Sequence, residues 1–387
     1  MSIRLKLGEP VIVSMGPALK DNPWGSHQFP TLRRLPDGRL AIAYHLVNDS
    51  CEDYGLEKGW KISSDDGKTW QDVTSEELPS IKACFGTRLP SGKYISPIVH
   101  RPYPIDDELH AALSKRIGIK MGALGVEDIP DLFPKTWTFA VASPEDREAV
   151  TFDCDLDFPG MTIGLCKGAI IRPMMFGSMK VAPDGSLWAS HYARGRNPKN
   201  MGYTNYYACY YFRSTDEGKS FHLKSWIQYL PDTEECDFAF RAEGFCEPDF
   251  CFMPDGSMIT LLRLDSNAPS YIARSVDGGS TWSKPQKFDR CGVLPQLLCL
   301  DCGVTLASYG RPGLFVRATD DPSGMIWEDP VELMPFDRQR ITSNSCSYTS
   351  MVPLDDRSAL LAYSNFRIQD ESGTERKCIM VRTVRVE

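Results

Sequence analysis

The chain has 387 residues, 42% of them apolar and 24% charged, with a formal net charge of -8 and no long basic run. That balance suits a soluble globular protein and excludes nucleic acid or an anionic membrane surface as the main partner. No stretch approaches the roughly 18 apolar residues of a membrane span, and the opening MSIRLKLGEPVIVSM lacks the apolar run of a secretory signal.

In chain order, one pattern recurs: a short apolar strand, a turn with Asp or Gly, and a second apolar strand. It occurs at 32–46, 87–100, 179–192, 251–263, 296–310 and 350–364, and five of the six turns carry a glycine where a tight hairpin needs φ > 0. A second motif follows some of these hairpins: Ser63-Ser-Asp65-Asp-Gly67-Lys-Thr-Trp70, then the stretches 214–221 and 275–282, with a degenerate copy at 318–327. Its Asp can bond turn amides, its Gly supplies the left-handed residue, and its aromatic ring packs under the turn. Six hairpins at this spacing predict an all-β fold, a six-bladed β-propeller of four-stranded antiparallel blades forming a single domain over 1–387. The longest gap, 101–170, contains DDELHAALSKRIGIKMGALG, whose apolar spacing is helical. It reads as an insertion between blades two and three, a lid or a contact between copies of the chain. The thirteen cysteines, odd in number and scattered through strand-like runs, read as reduced thiols of a cytoplasmic protein. Cys299 and Cys302 form a lone CxxC pair without a second pair at zinc spacing, so neither a metal nor another cofactor is expected.

The stretch CEPDFCFMPDGSMITLLR, residues 246–263, places Glu247 at the start of one strand and Arg263 at the end of the next. In a propeller, such ends face a shared central funnel. This layout resembles the sialidase (exo-α-neuraminidase) family, as does SYTSMVPLDDRSALLAYSN with Tyr348, and SYGRPGLFVRATDD with Arg311. The repeated Ser-x-Asp-x-Gly turns resemble the structural Asp-box of that family. The resemblance implies a glycoside hydrolase acting on an acidic terminal sugar. Tyr348 would be the nucleophile, Glu247 its base, and Arg263 with Arg311 a carboxylate clamp, since a guanidinium matches a carboxylate bidentately. It implies a separate acid in the loop HLVNDSCEDYGLEKGW, where Asp49, Glu52 and Asp53 are all candidates and Asp53 is favoured.

The sequence also departs from the family. Gln28-Phe29-Pro30 stands where the family has Arg-Ile-Pro, so Gln28 replaces its first arginine. His27 beside it, and His191, Arg194 and Arg196 in SHYARGRNP, have no family counterpart; of these His27, His191 and Arg194, together with Gln28, are expected to contribute to substrate binding at the funnel. A funnel histidine can act as general acid or base, so a histidine-dependent lyase or hydrolase acting on uronate- or rhamnose-linked glycans is the alternative reading, with a non-catalytic glycan-binding propeller as a third.

Overall fold

The computed structural model describes residues 3–19, 24–117, 123–232, 234 and 239–387. The chain is built from antiparallel sheets of four or five strands, with few helices. The first sheet holds strands Gln28–Arg34, Leu40–His45, Lys58–Ser63 and Gln71–Asp72. The second holds Thr87–Arg88, Tyr94–Pro97, Thr138–Ala142 and Val150–Asp153. The third runs from Met179–Val181 through Leu187–Arg196 and Tyr203–Ser214 to Ser220–Gln228, with Asp155–Asp157 added in parallel at its edge. The fourth holds Cys246–Phe252, Met258–Arg263, Ser270–Ser275 and Gln286–Asp289, and the fifth Val293–Cys299, Thr305–Gly310, Leu314–Thr319 and Val331–Met334. The sixth holds Ser350–Pro353, Ser358–Gln369 and Glu375–Val386, and its outer edge is Leu5–Leu7 and Val11–Ala18, both paired with the last strand of the chain.

All six expected hairpins are present as the first two strands of these sheets. Gly38, Gly92, Gly185, Gly256 and Gly303 take φ of 87°, 86°, 83°, 84° and 85°, a region only glycine enters without strain. The Ser-x-Asp-x-Gly turns close alike: Ser63, Ser214 and Ser275 hydroxyls each accept the amide of the motif glycine, and Asp65, Asp216 and Asp277 each accept the amide and hydroxyl of the following Thr or Ser.

The core lies between sheets. Leu187, Tyr210 and Phe212 of the third pack on Ile95, Trp137 and Phe139 at the second. Phe250 and Leu262 of the fourth pack on Trp188 and Tyr211 of the third. Val352 and Leu360 of the sixth pack on Leu32 and Ile42 of the first. The short helix Leu78–Ala83 packs against the third strand of the second sheet and puts Ile81 against Ala41 and Ile62 of the first. The first strands of the fourth and fifth, fifth and sixth, and sixth and first sheets are in contact.

The 101–170 segment differs from its reading as one insertion between the second and third sheets. Thr138–Ala142 and Val150–Asp153 complete the second sheet, because Ala140 and Val141 pair with Ser96 and Ile95. Around them the chain makes a satellite: helix Asp107–Ser114, capped by Asp106 accepting Leu109 N at 2.7 Å, and a small sheet of Tyr103–Pro104, Ala123–Gly125, Thr162–Cys166 and Ala169–Ile170. Its own core is Leu113, Leu124, Ile129, Phe133, Ile163 and Ile170. Of the expected helical stretch, 118–122 lies outside the described residues.

Candidate active site

Three first strands begin with the same irregularity. Phe29, Glu247 and Leu294 each precede a proline, take φ of 54°, 47° and 34°, and sit in a break of register with the next strand. The residue before proline avoids helical φ/ψ, and a non-glycine residue at positive φ costs about 1–3 kcal/mol. The bulge re-aims the side chain it carries, as bulges beside functional sites do. At the fourth sheet it carries Glu247, 4% exposed.

Glu247 is the hub of a buried cluster. Its Oε1 accepts Arg263 Nη1 at 2.6 Å and the Tyr348 hydroxyl, and its Oε2 accepts Leu294 N at 2.7 Å. Arg263 Nη2 donates to Glu243 Oε2 at 2.8 Å and to Ser266 Oγ at 3.2 Å. Ser266 Oγ also accepts Arg311 Nη1 at 3.2 Å, while Arg311 Nη2 donates to Cys346 O at 2.7 Å. The Arg311 guanidinium stands 5.3 Å from the centre of the Tyr348 ring, and Phe29 packs on that ring at 4.7 Å between centroids. The Nε atoms of both Arg263 and Arg311 are buried with no hydrogen-bond partner among the described residues.

Burial pushes the Tyr348 phenol well above its ordinary pKa, the Glu247 charge pushes it further, and Arg263 and Arg311 oppose both. Tyr348 therefore rests as a neutral phenol hydrogen-bonded to a carboxylate able to take its proton. Burial is the largest single influence on Arg263 and disfavours its charge, but Glu247, Cys246, Tyr348 and Glu243 together outweigh it and the net shift is upward. Burial raises Glu243, with Arg263 opposing.

The structure brings together Glu247, Arg263, Arg311 and Tyr348, as the sequence motifs suggested. Asp49 lies within electrostatic reach of them: loss of solvation and the Glu247 charge raise its pKa, and Arg311 and Arg263 hold it back. Asp49 is itself exposed to solvent. Asp53, favoured from sequence, is instead in a one-turn helix, Cys51–Asp53, where it accepts Ser50 Oγ at 2.9 Å. Glu52 is exposed on the same turn.

Gln28 does not line the site. It is fully buried, its Oε1 accepting Gly25 N at 3.2 Å, because the bulge at Phe29 gives the cluster-facing position to the phenyl ring. His27 packs on Tyr44 and Gly16, with its Nε2 3.2 Å from Ser14 Oγ, and none of these contacts is with the cluster. Burial and the Lys377 and Lys61 charges lower it to about 4. His191 is a neutral wall residue, lowered by burial to about 3, its Nδ1 accepting Phe176 N at 3.0 Å. Arg194 is buried over the face of Tyr207, while Arg196 pairs with Glu127 and Tyr203 at the surface.

Sequence reasoning missed Glu243, Ser266 and Phe29. The x-Pro step shared by Phe29-Pro30, Glu247-Pro248 and Leu294-Pro295 would have pointed to the bulges. Among the described residues, no three His, Cys, Asp or Glu side chains are grouped to hold a metal.

No protein-family model and no curated protein matches the chain. Solved structures do. A protein of unknown function from Dyadobacter fermentans superposes over 99% of both chains with a TM-score of 0.67 at 15% identity. A Hadza microbial sialidase matches 94% of this chain and 65% of its own, with a TM-score of 0.52 at 14% identity. An α-L-arabinanase of Penicillium chrysogenum, solved with arabinobiose, matches 97% of this chain and 98% of its own, with a TM-score of 0.53 at 11% identity. At such identities the likeness is one of fold, and the chain shares its fold with proteins named as glycoside hydrolases.

Proposed function

We propose that the chain is a retaining glycoside hydrolase that removes a terminal acidic sugar, a sialic acid or a related keto-sugar acid, and that its six main sheets are the blades of a propeller. The observation that carries this reading is the hydrogen-bonded chain Tyr348–Glu247–Arg263 with Arg311 against the tyrosine ring. A phenol suits an anomeric centre that already bears a carboxylate, since an anionic nucleophile would be repelled. A tyrosine nucleophile is a known exception to the two-carboxylate scheme of glycosidases.

In the first step the Tyr348 oxygen attacks the anomeric carbon as its proton passes to Glu247. The bond to the leaving oxygen breaks as Asp49 gives that oxygen a proton. In the second step water attacks the same carbon and gives a proton to Asp49, while the bond to Tyr348 breaks and Glu247 returns the phenolic proton. Arg263 and Arg311, each with a spare buried Nε donor, hold the substrate carboxylate. Gln28 stands where the resembling family has its first arginine, so the clamp has two arginines. One missing charge-assisted bond weakens binding by about 1.5–3 kcal/mol, which favours a substrate other than an ordinary sialoside.

The test is release of free acid sugar from fluorogenic sialosides, a keto-deoxy-octulosonate glycoside and a glucuronide, by wild type and Tyr348→Phe. Turnover of a keto-acid glycoside that vanishes in Tyr348→Phe is expected. Activity on the glucuronide alone, surviving Tyr348→Phe, would overturn the proposal. Against the histidine-dependent alternative, burial lowers both His27 and His191, and neither is hydrogen-bonded to Glu247, Arg263, Arg311 or Tyr348, although His191 lines a recess beside them.

A further inference from the structure

Beside the cluster lies a recess of about 230 Å³ that the hydrolysis leaves unused. Its walls include Tyr54, Phe176, Tyr192 and Tyr207, and its cations are Arg172 and Arg194. Arg194 is 8% exposed, and its Nε and Nη1 are buried with no hydrogen-bond partner among the described residues. The same is true of Arg172 Nε. What these guanidinium groups do meet are ring faces: Tyr207 at 4.3 Å from Arg194 and Tyr103 at 4.7 Å from Arg172. A ring face attracts the charge but leaves in-plane N–H donors unsatisfied. A buried guanidinium with free donors is costly unless an anion completes it. Glu243 is within electrostatic reach of Arg194, but its carboxylate is already bonded to Arg263.

The recess adjoins the reacting groups. Tyr207 N donates to Glu243 O at 2.8 Å, fastening one wall to the segment that supplies Glu243. Tyr192 senses the charges of Glu247 and Tyr348, and Tyr54 that of Asp49. The Tyr54 wall of the recess is thus within electrostatic reach of Asp49, the proposed proton donor to the leaving group.

We propose that Arg194 and Arg172 form a second anionic subsite, which holds a carboxylate or sulfate on the sugar unit adjoining the bond to be cleaved. Aromatic walls with a small number of fixed polar groups are what a sugar subsite requires, and two guanidinium groups match the oxygens of either anion. The substrate is then an acidic oligosaccharide with anions on two successive units. This rests on the glycosidase reading for its orientation, but not for its binding.

The test is calorimetric titration of the full chain with glucuronic acid, glucose 6-sulfate and neutral glucose, using wild type, Arg194→Met, Arg172→Met, Arg311→Met and Tyr348→Phe. At least one acid sugar is expected to bind at least about tenfold more tightly than glucose. Arg194→Met should remove that advantage, and Arg311→Met and Tyr348→Phe should retain it. Preference for the glucuronate or for the sulfate identifies which anion the subsite takes. Arg194→Lys, which keeps the charge, should recover part of the binding, and it decides the matter together with Arg172→Met if Arg194→Met fails to fold. Equal affinity for glucose, full binding in a folded Arg194→Met, or loss in Arg311→Met alone would overturn the subsite. Tyr348→Phe that still hydrolyses every glycoside while glucuronate binding depends on Arg194 would sink the tyrosine mechanism and leave the subsite standing.

Discussion

Asp49 holds its proton to higher pH than an ordinary carboxyl because loss of solvation and Glu247 raise its pKa. A leaving-group acid works only when protonated, so kcat/KM for a glycoside with a poor leaving group should fall as pH rises through that raised value. Asp49→Asn should remove the limb and lower turnover of such a glycoside by about 10²–10⁴-fold, with a smaller loss on an aryl glycoside whose leaving group needs no proton. The same behaviour from Asp53→Asn, with Asp49→Asn inert, would reassign the acid. A second residue-scale prediction concerns Arg263, 7% exposed. Arg263→Met strands a buried Glu247, and urea unfolding should show a loss of about 3–5 kcal/mol. The ordered residues Glu247, Arg263, Arg311 and Tyr348 were legible because each lies beside a strand whose hairpin partner is obvious. Asp49 was not separable from Asp53, since both lie in a loop with no periodicity to orient them. Gln28 was misread because a bulge shifts which neighbour faces inward, and side-chain alternation alone cannot show that.

At the scale of the element, Gly310 ends the second strand of the fifth sheet. A Cβ there would stand 2.3 Å from Gly313 O and 2.8 Å from Ser347 Cβ. Ser347 holds φ of 59° immediately before Tyr348. Gly310→Ala should therefore push the Ser347–Tyr348 segment, costing about 1–3 kcal/mol of stability and lowering kcat for any substrate of Tyr348. A variant with wild-type kcat and stability would show that the segment yields freely. The hairpins were readable because a glycine in a tight turn is a local requirement. The Asp155–Asp157 strand was not, because its parallel partner is 65 residues away, at Ser220–His222, and nothing local announces such a pairing.

For the whole molecule, burial lowers His27 and His45 to about 4 and His191 to about 3. The unfolded chain takes up these protons near the ordinary value of 6.5, before the folded chain does. Stability is thus full above pH 6.5 and declines as pH falls toward 4. A Tm that stays level from pH 7 to pH 4.5 would contradict this. The sixth sheet gives a second test at this scale. Removing residues 3–18 strips its outer edge from Glu375–Val386 and should leave a chain that aggregates or melts well below the full one, by light scattering and calorimetry.

That same edge imposes an order on synthesis. Val11 pairs with Val381 and Ile12 with Met380, so a strand already made meets a partner synthesised about 370 residues later. Strand contacts so distant in sequence form slowly. The other five sheets can assemble during translation, while residues 11–18 wait with an unpaired edge until Glu375–Val386 has emerged.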